Sequence, residues 1–366
     1  MRTRNAWKRW VLGCLAALLP AVAPAAAARD GEALHLRLMR EAGAPQPWSI
    51  GIYGESPEHC PPSLQRVALD GADLSIMLHV PRTGCGAARP VPFLLKAAPP
   101  ASSPLLGGTV YRVRVYSDAK GTSALAAFRL LDTGSPSVAE PENGFWWSIA
   151  DDDAAPPSRS TGLTVESQGD RLALGLYGFD DAGAPAWYFG STRLTGRVAR
   201  VQLLELAGGD PLFSPAGTQP SAQDGPRIEL EFVSPARARA WLVRNVDGYD
   251  VAVRALTVAR SRFAAQPAAI GSGRWVFVAD DEGTPLQFEF SSPSRESADR
   301  VRVDDPAHDA VLECNGSGGE DALPQRCSLL FGGSELATFE RVGLDRLVGK
   351  RYDGATARLL RITTRP

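Results

Sequence analysis

Hydrophobic and polar residues alternate with a period of two along most of this chain. Leu34, Leu36 and Leu38 alternate with polar residues, and the same pattern recurs over 111–115 and 228–232. Alternation of this kind is typical of β-strands with one buried face. No segment after residue 30 has the apolar spacing of an amphipathic helix, and 36 glycines and 29 prolines supply turns. The pattern therefore predicts an all-β protein.

The first predicted unit covers residues 29–137 and contains a series of short strands. These strands are predicted at 34–40, 48–53, 63–69, 73–80, 92–96, 110–117 and 124–131. About seven short strands within about 100 residues favour an immunoglobulin-like β-sandwich. Residues 133–137, which read Thr-Gly-Ser-Pro-Ser, then predict a linker.

A short repeat distinguishes the chain after residue 140. Residues 144–152 match residues 273–281 in the pattern Gly-x-Trp-x-x-(Ile/Val)-Ala-Asp-Asp, 129 positions apart. The repeat predicts two related β units, at 140–260 and 270–364.

The first of these two units should form an eight-stranded β-barrel. Its strands are predicted at 145–150, 162–167, 171–179, 185–194, 198–206, 227–233, 238–244 and 249–257. Sequential strands joined by short turns form an up-and-down meander, and such a meander closes naturally at about eight strands.

Three motifs in the first unit resemble a module of uncharacterised exported bacterial proteins. They are Gly144-Phe145-Trp146-Trp147, then Gly-Leu-Thr-Val-Glu-Ser-Gln-Gly-Asp at 162–170, then Leu-Tyr-Gly-Phe-Asp-Asp-Ala-Gly-Ala-Pro-Ala-Trp-Tyr at 176–188. The module reads Trp-Trp-Asn-Pro, Glu-Ser-Gly-x-Gly and Tyr-x-Tyr-Asp-x-x-Gly-x-Pro-x-Trp-Tyr, and the match spans residues 143–206. The chain departs from it at 151–160, in the first loop. The resemblance implies export and β architecture, and it implies no reaction.

The first residues have the organisation of a secretory signal peptide. Four basic residues stand within the first nine positions, an apolar run follows at 11–19, and Ala26-Ala27-Ala28 fits a small-x-small cleavage site. Pro20 and Pro24 interrupt this run, which is shorter than the roughly 20 apolar residues of a membrane span. We expect a signal peptide over 1–28, cleavage near Ala28, and a periplasmic or secreted protein with no transmembrane span after cleavage.

The net charge narrows the range of partners. Four of the 39 Lys and Arg residues lie in the predicted signal peptide, so 35 remain against 41 Asp and Glu residues. The resulting net charge of −6 disfavours a nucleic-acid or anionic-membrane partner, since either requires a concentrated basic face.

Four cysteines remain after the predicted cleavage, and an even number in an exported protein favours disulfides. Their spacing predicts the pairs Cys60 to Cys85 and Cys314 to Cys327. The alternative is a zinc site that uses His59, His79, Cys60 and Cys85, but no Cys-x-x-Cys spacing accompanies them.

The sequence contains little that indicates catalysis. Acidic clusters at 151–153, 180–181, 280–282 and 304–305 suit Ca²⁺ ligation, a glycosidase carboxylate pair or tight turns, and we expect turns. The four histidines, at 35, 59, 79 and 308, occur without a Gly-x-Ser-x-Gly nucleophile motif. We therefore expect no catalytic residue, no metal and no cofactor.

Aromatic residues are the strongest candidates for a ligand site. Rings in the lumen or at the mouth of a small barrel can stack on a sugar or on a flat apolar ligand, and the candidates are Trp187, Tyr188, Trp146 and Trp241. Adjacent residues point to opposite faces of a strand, so at most one of Trp146 and Trp147 faces the lumen. The alternative is that these rings belong to the core.

The sequence thus predicts an exported, non-enzymatic binding or envelope-associated β protein. Its partner is expected to be a small molecule, a glycan or an envelope protein. One alternative is an extracytoplasmic hydrolase that acts on glycan or peptide, and another is a purely structural or protein-interaction module. An outer-membrane barrel fits less well, because strands such as 227–233 place charges where a lipid-facing band is needed.

Overall fold

The structure is a computed structural model, and its strands confirm the predicted all-β class. The residues that it describes are 34–40, 48–56, 61–81, 91–122, 125–135, 138–149, 161–210, 213, 217–246, 249–261, 271–280, 283–291, 294–297, 300–316 and 323–363. Within these residues the chain forms 24 β-strands and no helix. Accordingly, this part of the chain contains no helix that is long and apolar enough to cross a membrane.

The first seven strands form a β-sandwich. They are β1 (His35–Arg40), β2 (Trp48–Ser56), β3 (Ser63–Asp70), β4 (Asp73–His79), β5 (Val91–Ala97), β6 (Val110–Tyr116) and β7 (Leu125–Asp132). One sheet has the order β1-β2-β5 and the other β3-β4-β6-β7, with β4 and β6 parallel. Ile50 and Ile52 of the first sheet share one apolar core with Leu74, Ile76 and Val113 of the second. Whether the sandwich is immunoglobulin-like stays a prediction.

The next eight strands form a closed barrel, as their number and the short turns between them predict, and we call it the first barrel. They are β8 (Gly144–Ile149), β9 (Gly162–Gln168), β10 (Arg171–Phe179), β11 (Pro185–Arg193), β12 (Val198–Ala207), β13 (Ser221–Ser234), β14 (Arg237–Val246) and β15 (Tyr249–Arg260). Each strand pairs with the next in antiparallel fashion, and β15 pairs with β8 to close the ring.

Alternate residues of the first barrel fill its lumen. Leu172, Leu174 and Leu176 of β10 point inward together with Leu163 and Val165 of β9, and all five are buried in a single cluster. Their sequence neighbours point outward, as the pleat of a strand requires. The middle of the lumen is therefore a packed core and not a channel.

The last nine strands form a sheet that nearly closes, which we call the second barrel. They are β16 (Gly273–Ala279), β17 (Leu286–Phe290), β18 (Ser294–Ser297), β19 (Arg300–Asp305), β20 (Ala310–Asn315), β21 (Arg326–Phe331), β22 (Ser334–Val342), β23 (Arg346–Arg351) and β24 (Thr356–Thr363). The ladder runs from β17 through β16 and β24 back to β18. The Ser291 N–H donates to the Asp304 carbonyl at 3.0 Å, which joins the end of β17 to β19 across the gap.

A disulfide joins two neighbouring strands of the second barrel. Cys314 of β20 is bonded to Cys327 of β21, and both residues are buried, which confirms this predicted pair. Cys60 and Cys85 lie outside the described residues, so their pairing stays a prediction.

The outer wall of the first barrel covers β7, an edge strand of the sandwich. Asp250 Oδ2 accepts the backbone N–H of Phe128 at 2.5 Å, and Glu229 Oε2 accepts that of Leu130 at 2.5 Å. Arg227 Nη2 donates to the Phe128 carbonyl at 2.8 Å. These side chains make the hydrogen bonds that another strand would otherwise make to this edge.

The segment before β8 links the two barrels. Glu142 accepts the backbone N–H groups of Leu344 and Asp345, at 3.0 and 2.6 Å, and pairs with Arg260 at 3.2 Å. Burial raises the pKa of the Glu142 carboxyl, while these donors and Arg260 oppose the shift.

Candidate functional site

The structure separates the four aromatic candidates. Trp146 is fully buried in the lumen of the first barrel, and Trp241 is buried where that barrel meets the sandwich, 5.7 Å from the ring of Phe128. Tyr188 packs against the lumen core, whereas Trp187 lies outside with 51% of its surface exposed. The four do not form a common site.

Trp187 instead belongs to a set of rings on the outer wall of the first barrel. We call Phe145, Trp147, Tyr177, Trp187 and Phe189 the aromatic face. They stand on β8, β10 and β11, three strands of the same wall. Four of the five are partly exposed, between 37% and 51%.

The strand register aligns the aromatic face in two rows across the sheet. In the first row, Trp147 is opposite Gly162, which is opposite Tyr177, which is opposite Trp187. Directly opposite residues on paired strands point to the same side of a sheet. The three rings therefore share one outer surface.

The second row runs parallel to the first. Phe145 is opposite Thr164, which is opposite Gly175, which is opposite Phe189. The two rows are in contact, because the Phe145 ring centroid is 5.6 Å from that of Trp147 and 6.2 Å from that of Tyr177.

Two glycines let the rings lie against the backbone. A Cβ atom at Gly162 would stand 2.7 Å from Cζ of Phe145 and 2.8 Å from Cζ3 of Trp147. A Cβ atom at Gly175 would stand 2.6 Å from Oγ1 of Thr164 and 3.2 Å from the Tyr177 hydroxyl. Neither glycine has a side chain, so the neighbouring side chains occupy that space and lie directly against the backbone.

The mouth of the first barrel is a second candidate, with a cavity of about 790 Å³. It is lined by the hairpin of β10 and β11 and by the adjoining ends of β12 to β15. Tyr188 points into it, against Gly225, whose Cβ position lies 2.7 Å from the tyrosine ring. Burial, followed by the nearby carboxylate of Glu205, raises the pKa of the Tyr188 hydroxyl. At the rim, Asp181 is held by Arg244 through two contacts of 2.8 Å.

The acidic clusters that the structure describes are engaged in turns and ion pairs. Asp180 Oδ1 accepts the backbone N–H groups of Ala182 and Ala184 within the β10–β11 hairpin. Asp305 accepts the N–H of Glu289 at 2.7 Å and contacts His308 Nδ1 at 2.8 Å. Among the described residues, no group of three or more His, Cys, Asp or Glu side chains is placed to hold a metal ion. Residues 151–153 and His59 lie outside these residues.

Sequence reasoning missed four of the five rings of the aromatic face, namely Phe145, Trp147, Tyr177 and Phe189. Alternation alone indicates that Trp147 points away from the buried Trp146, and Tyr177 away from the buried Leu176. What the sequence lacks is the register that brings Trp147 and Tyr177 beside Trp187.

In comparisons with known proteins, no family model matches this chain and no curated protein is similar to it in sequence.

Proposed function

We propose that this protein is an exported, non-enzymatic binding protein that holds a neutral glycan on its aromatic face. The observation that carries the proposal is the alignment of Trp147, Tyr177 and Trp187 in one row across the outer wall, through Gly162. A row of partly exposed rings is a surface on which successive sugar rings can stack.

The chemistry of the aromatic face suits a sugar. The C–H faces of a sugar ring pack on aromatic rings, and each such contact contributes roughly 0.5–1.5 kcal/mol beyond the burial of area. The hydroxyls of Tyr177 and Thr164 offer hydrogen-bonding groups for sugar hydroxyls. Neither row contains a charged residue. A neutral glycan therefore fits the face better than an acidic one.

The second barrel provides an internal comparison. In the repeat, Arg274 and Val276 stand where the first barrel has Phe145 and Trp147. The buried tryptophan of the repeat is retained as Trp275, and the sheet still nearly closes. A barrel of this kind does not need outer aromatic rings, and contiguous exposed apolar surface commonly marks a binding site. The rings of the first barrel are thus better explained by binding than by folding.

The predicted signal peptide and the resemblance to exported modules support a location outside the cytoplasm, where glycans of the bacterial envelope are within reach. The packed middle of the lumen also supports an outer site, because Leu172 and Leu174 fill the space below the open mouth, where a deeply enclosed ligand would lie.

Calorimetric titration of the mature protein with neutral and acidic polysaccharides tests the proposal. Wild-type protein should bind a neutral polysaccharide, and Trp187→Ala should weaken the affinity at least five-fold, because one stacking ring is lost. Tyr352→Ala is the matched control, since Tyr352 is 76% exposed on the second barrel and should leave binding unchanged.

The proposal fails if Trp187→Ala binds as tightly as wild type, or if no neutral polysaccharide binds. Light scattering of both proteins distinguishes a further outcome. A dimer that dissociates in Trp187→Ala, with no glycan bound, would assign the aromatic face to self-association instead.

A further inference from the structure

A second cavity lies between the sandwich and the first barrel, and its charged lining is mainly basic. Its volume is about 350 Å³. Arg129 reaches it from β7, and Arg193 and Arg200 reach it from β11 and β12. Asp132 is the acidic member of the lining, and its carboxylate already accepts the backbone N–H of Arg197 at 3.1 Å.

Arg129 is the unusual residue of this cavity. Its Nε atom is buried and has no hydrogen-bond partner among the residues that the structure describes. A buried donor without a partner costs free energy, and a buried guanidinium costs more than a neutral group. Burial accordingly lowers the pKa of Arg129, although nearby Glu229 opposes this shift.

The neighbouring carboxylates are shared among other arginines. Glu229 Oε1 lies 3.1 Å from Arg227 Nε and 3.6 Å from Arg200 Nε. Asp250 pairs with Arg227 at 2.9 Å. The three guanidinium groups of Arg129, Arg200 and Arg227 thus face two carboxyl groups, so at least one positive charge of this cluster is unmatched.

We propose that the cavity between β7 and β12 binds a small oxyanion, a carboxylate or a phosphate group, through Arg129 and Arg200. The planar guanidinium group presents paired N–H donors that match both kinds of oxyanion. An oxyanion would supply the missing negative charge and acceptors for N–H donors. A volume of about 350 Å³ accommodates a phosphate or a small carboxylic acid. This site is independent of the aromatic face.

The test uses the mature protein with inorganic phosphate and citrate as probes, and sodium chloride at equal ionic strength as the reference. Calorimetric titration should show saturable binding of at least one probe, and that probe should raise the melting temperature more than sodium chloride does. Arg129→Gln and Arg200→Gln should each weaken binding at least ten-fold. Arg326→Gln is the matched control, because Arg326 is exposed on the second barrel.

Arg200, whose side chain is 37% exposed, provides the decisive variant if Arg129→Gln fails to fold. Preference for phosphate or for citrate identifies the type of oxyanion. Two results would overturn the proposal: a response to both probes that equals the response to sodium chloride, or binding that survives unchanged in the Arg200→Gln protein.

Discussion

Trp146 and Trp275 occupy the same position in two barrels of one chain. The indole N–H of Trp146 donates to the carbonyl of Glu142 at 3.1 Å, and that of Trp275 donates to the carbonyl of Gly271 at 2.7 Å. Each acceptor lies four residues before its tryptophan, and each ring is buried in its own core. Gly144 and Gly273, two residues before each ring, both have positive φ, at 133° and 109°. The short sequence repeat therefore corresponds to one repeated local structure, a buried tryptophan with the same indole hydrogen bond at the first strand of each barrel.

Replacing either buried tryptophan by phenylalanine should destabilise the protein by about 2–3 kcal/mol, because a buried carbonyl loses its donor and a small cavity forms. Chemical unfolding followed by circular dichroism measures this loss for Trp146→Phe and for Trp275→Phe. Trp187→Phe is the control. This substitution should lower the free energy of unfolding by less than about 0.5 kcal/mol, because Trp187 is half-exposed. Equal stability of all three proteins would refute the shared structural role.

A buried carboxyl group at the junction between the sandwich and the first barrel, Glu229, should make the free energy of unfolding depend on pH. Burial raises the pKa of Glu229 from its ordinary value of 4.5 to about 7, and Arg227 and the Leu130 N–H oppose the shift. The folded protein then keeps a proton that the unfolded chain releases. The contribution of Glu229 is present below about pH 4.5 and is lost as the pH rises through 7.

The free energy of unfolding should consequently fall by up to about 3 kcal/mol between pH 4.5 and 7 on account of this group. Urea unfolding at several pH values measures the slope, and Glu229→Gln should flatten it. Glu205→Gln, at an exposed position, should retain the wild-type slope. If Glu229→Gln shows the same slope as wild type, the titration belongs to another group.

The thiols give a third prediction. Mapping of disulfide-linked peptides by mass spectrometry should find the Cys314–Cys327 bond and, from the cysteine spacing, a bond between Cys60 and Cys85, with no free thiol. Replacing Cys314 and Cys327 together by alanine should cost about 3 kcal/mol, as expected for a closed loop of this size. A free thiol at Cys60 or Cys85 would reject the second pair.

The glycine under the aromatic face gives a fourth prediction. Gly162→Ala should displace the rings of Phe145 and Trp147, because the new Cβ would approach them to 2.7 and 2.8 Å. We expect several-fold weaker glycan binding and a loss of stability of about 1 kcal/mol. Gly107→Ala is the control, since no atom lies within 4 Å of its Cβ position. An unchanged affinity in Gly162→Ala would mean that ring positions do not matter for binding.

The positions of the strands follow from the sequence, because alternation is a local property. β10 occupies 171–179, the range that the pattern predicts. Trp146 and Trp147 lie on opposite faces of β8, as the pleat of a strand requires. The N-terminal half of β13 is the exception. Residues 221–226 read Ser-Ala-Gln-Asp-Gly-Pro, which carries no alternation, yet most of them pair with β12 beyond the register shift after Gln202. These residues line or flank the open mouth, so neither face needs to be apolar.

Which non-consecutive strands of the sandwich become neighbours was decided by tertiary structure alone. The parallel pairing of β4 with β6 joins strands that are not consecutive, and local patterns contain no information about it. Arg227 and Glu229 alternate with apolar residues and read as solvent-facing positions, but the sandwich buries them against the edge of β7. The aromatic face arises in the same way. Trp147 is separated from Tyr177 and Trp187 by β9 in the chain. The three side chains share one row only because of the register of the β8–β9, β9–β10 and β10–β11 pairings.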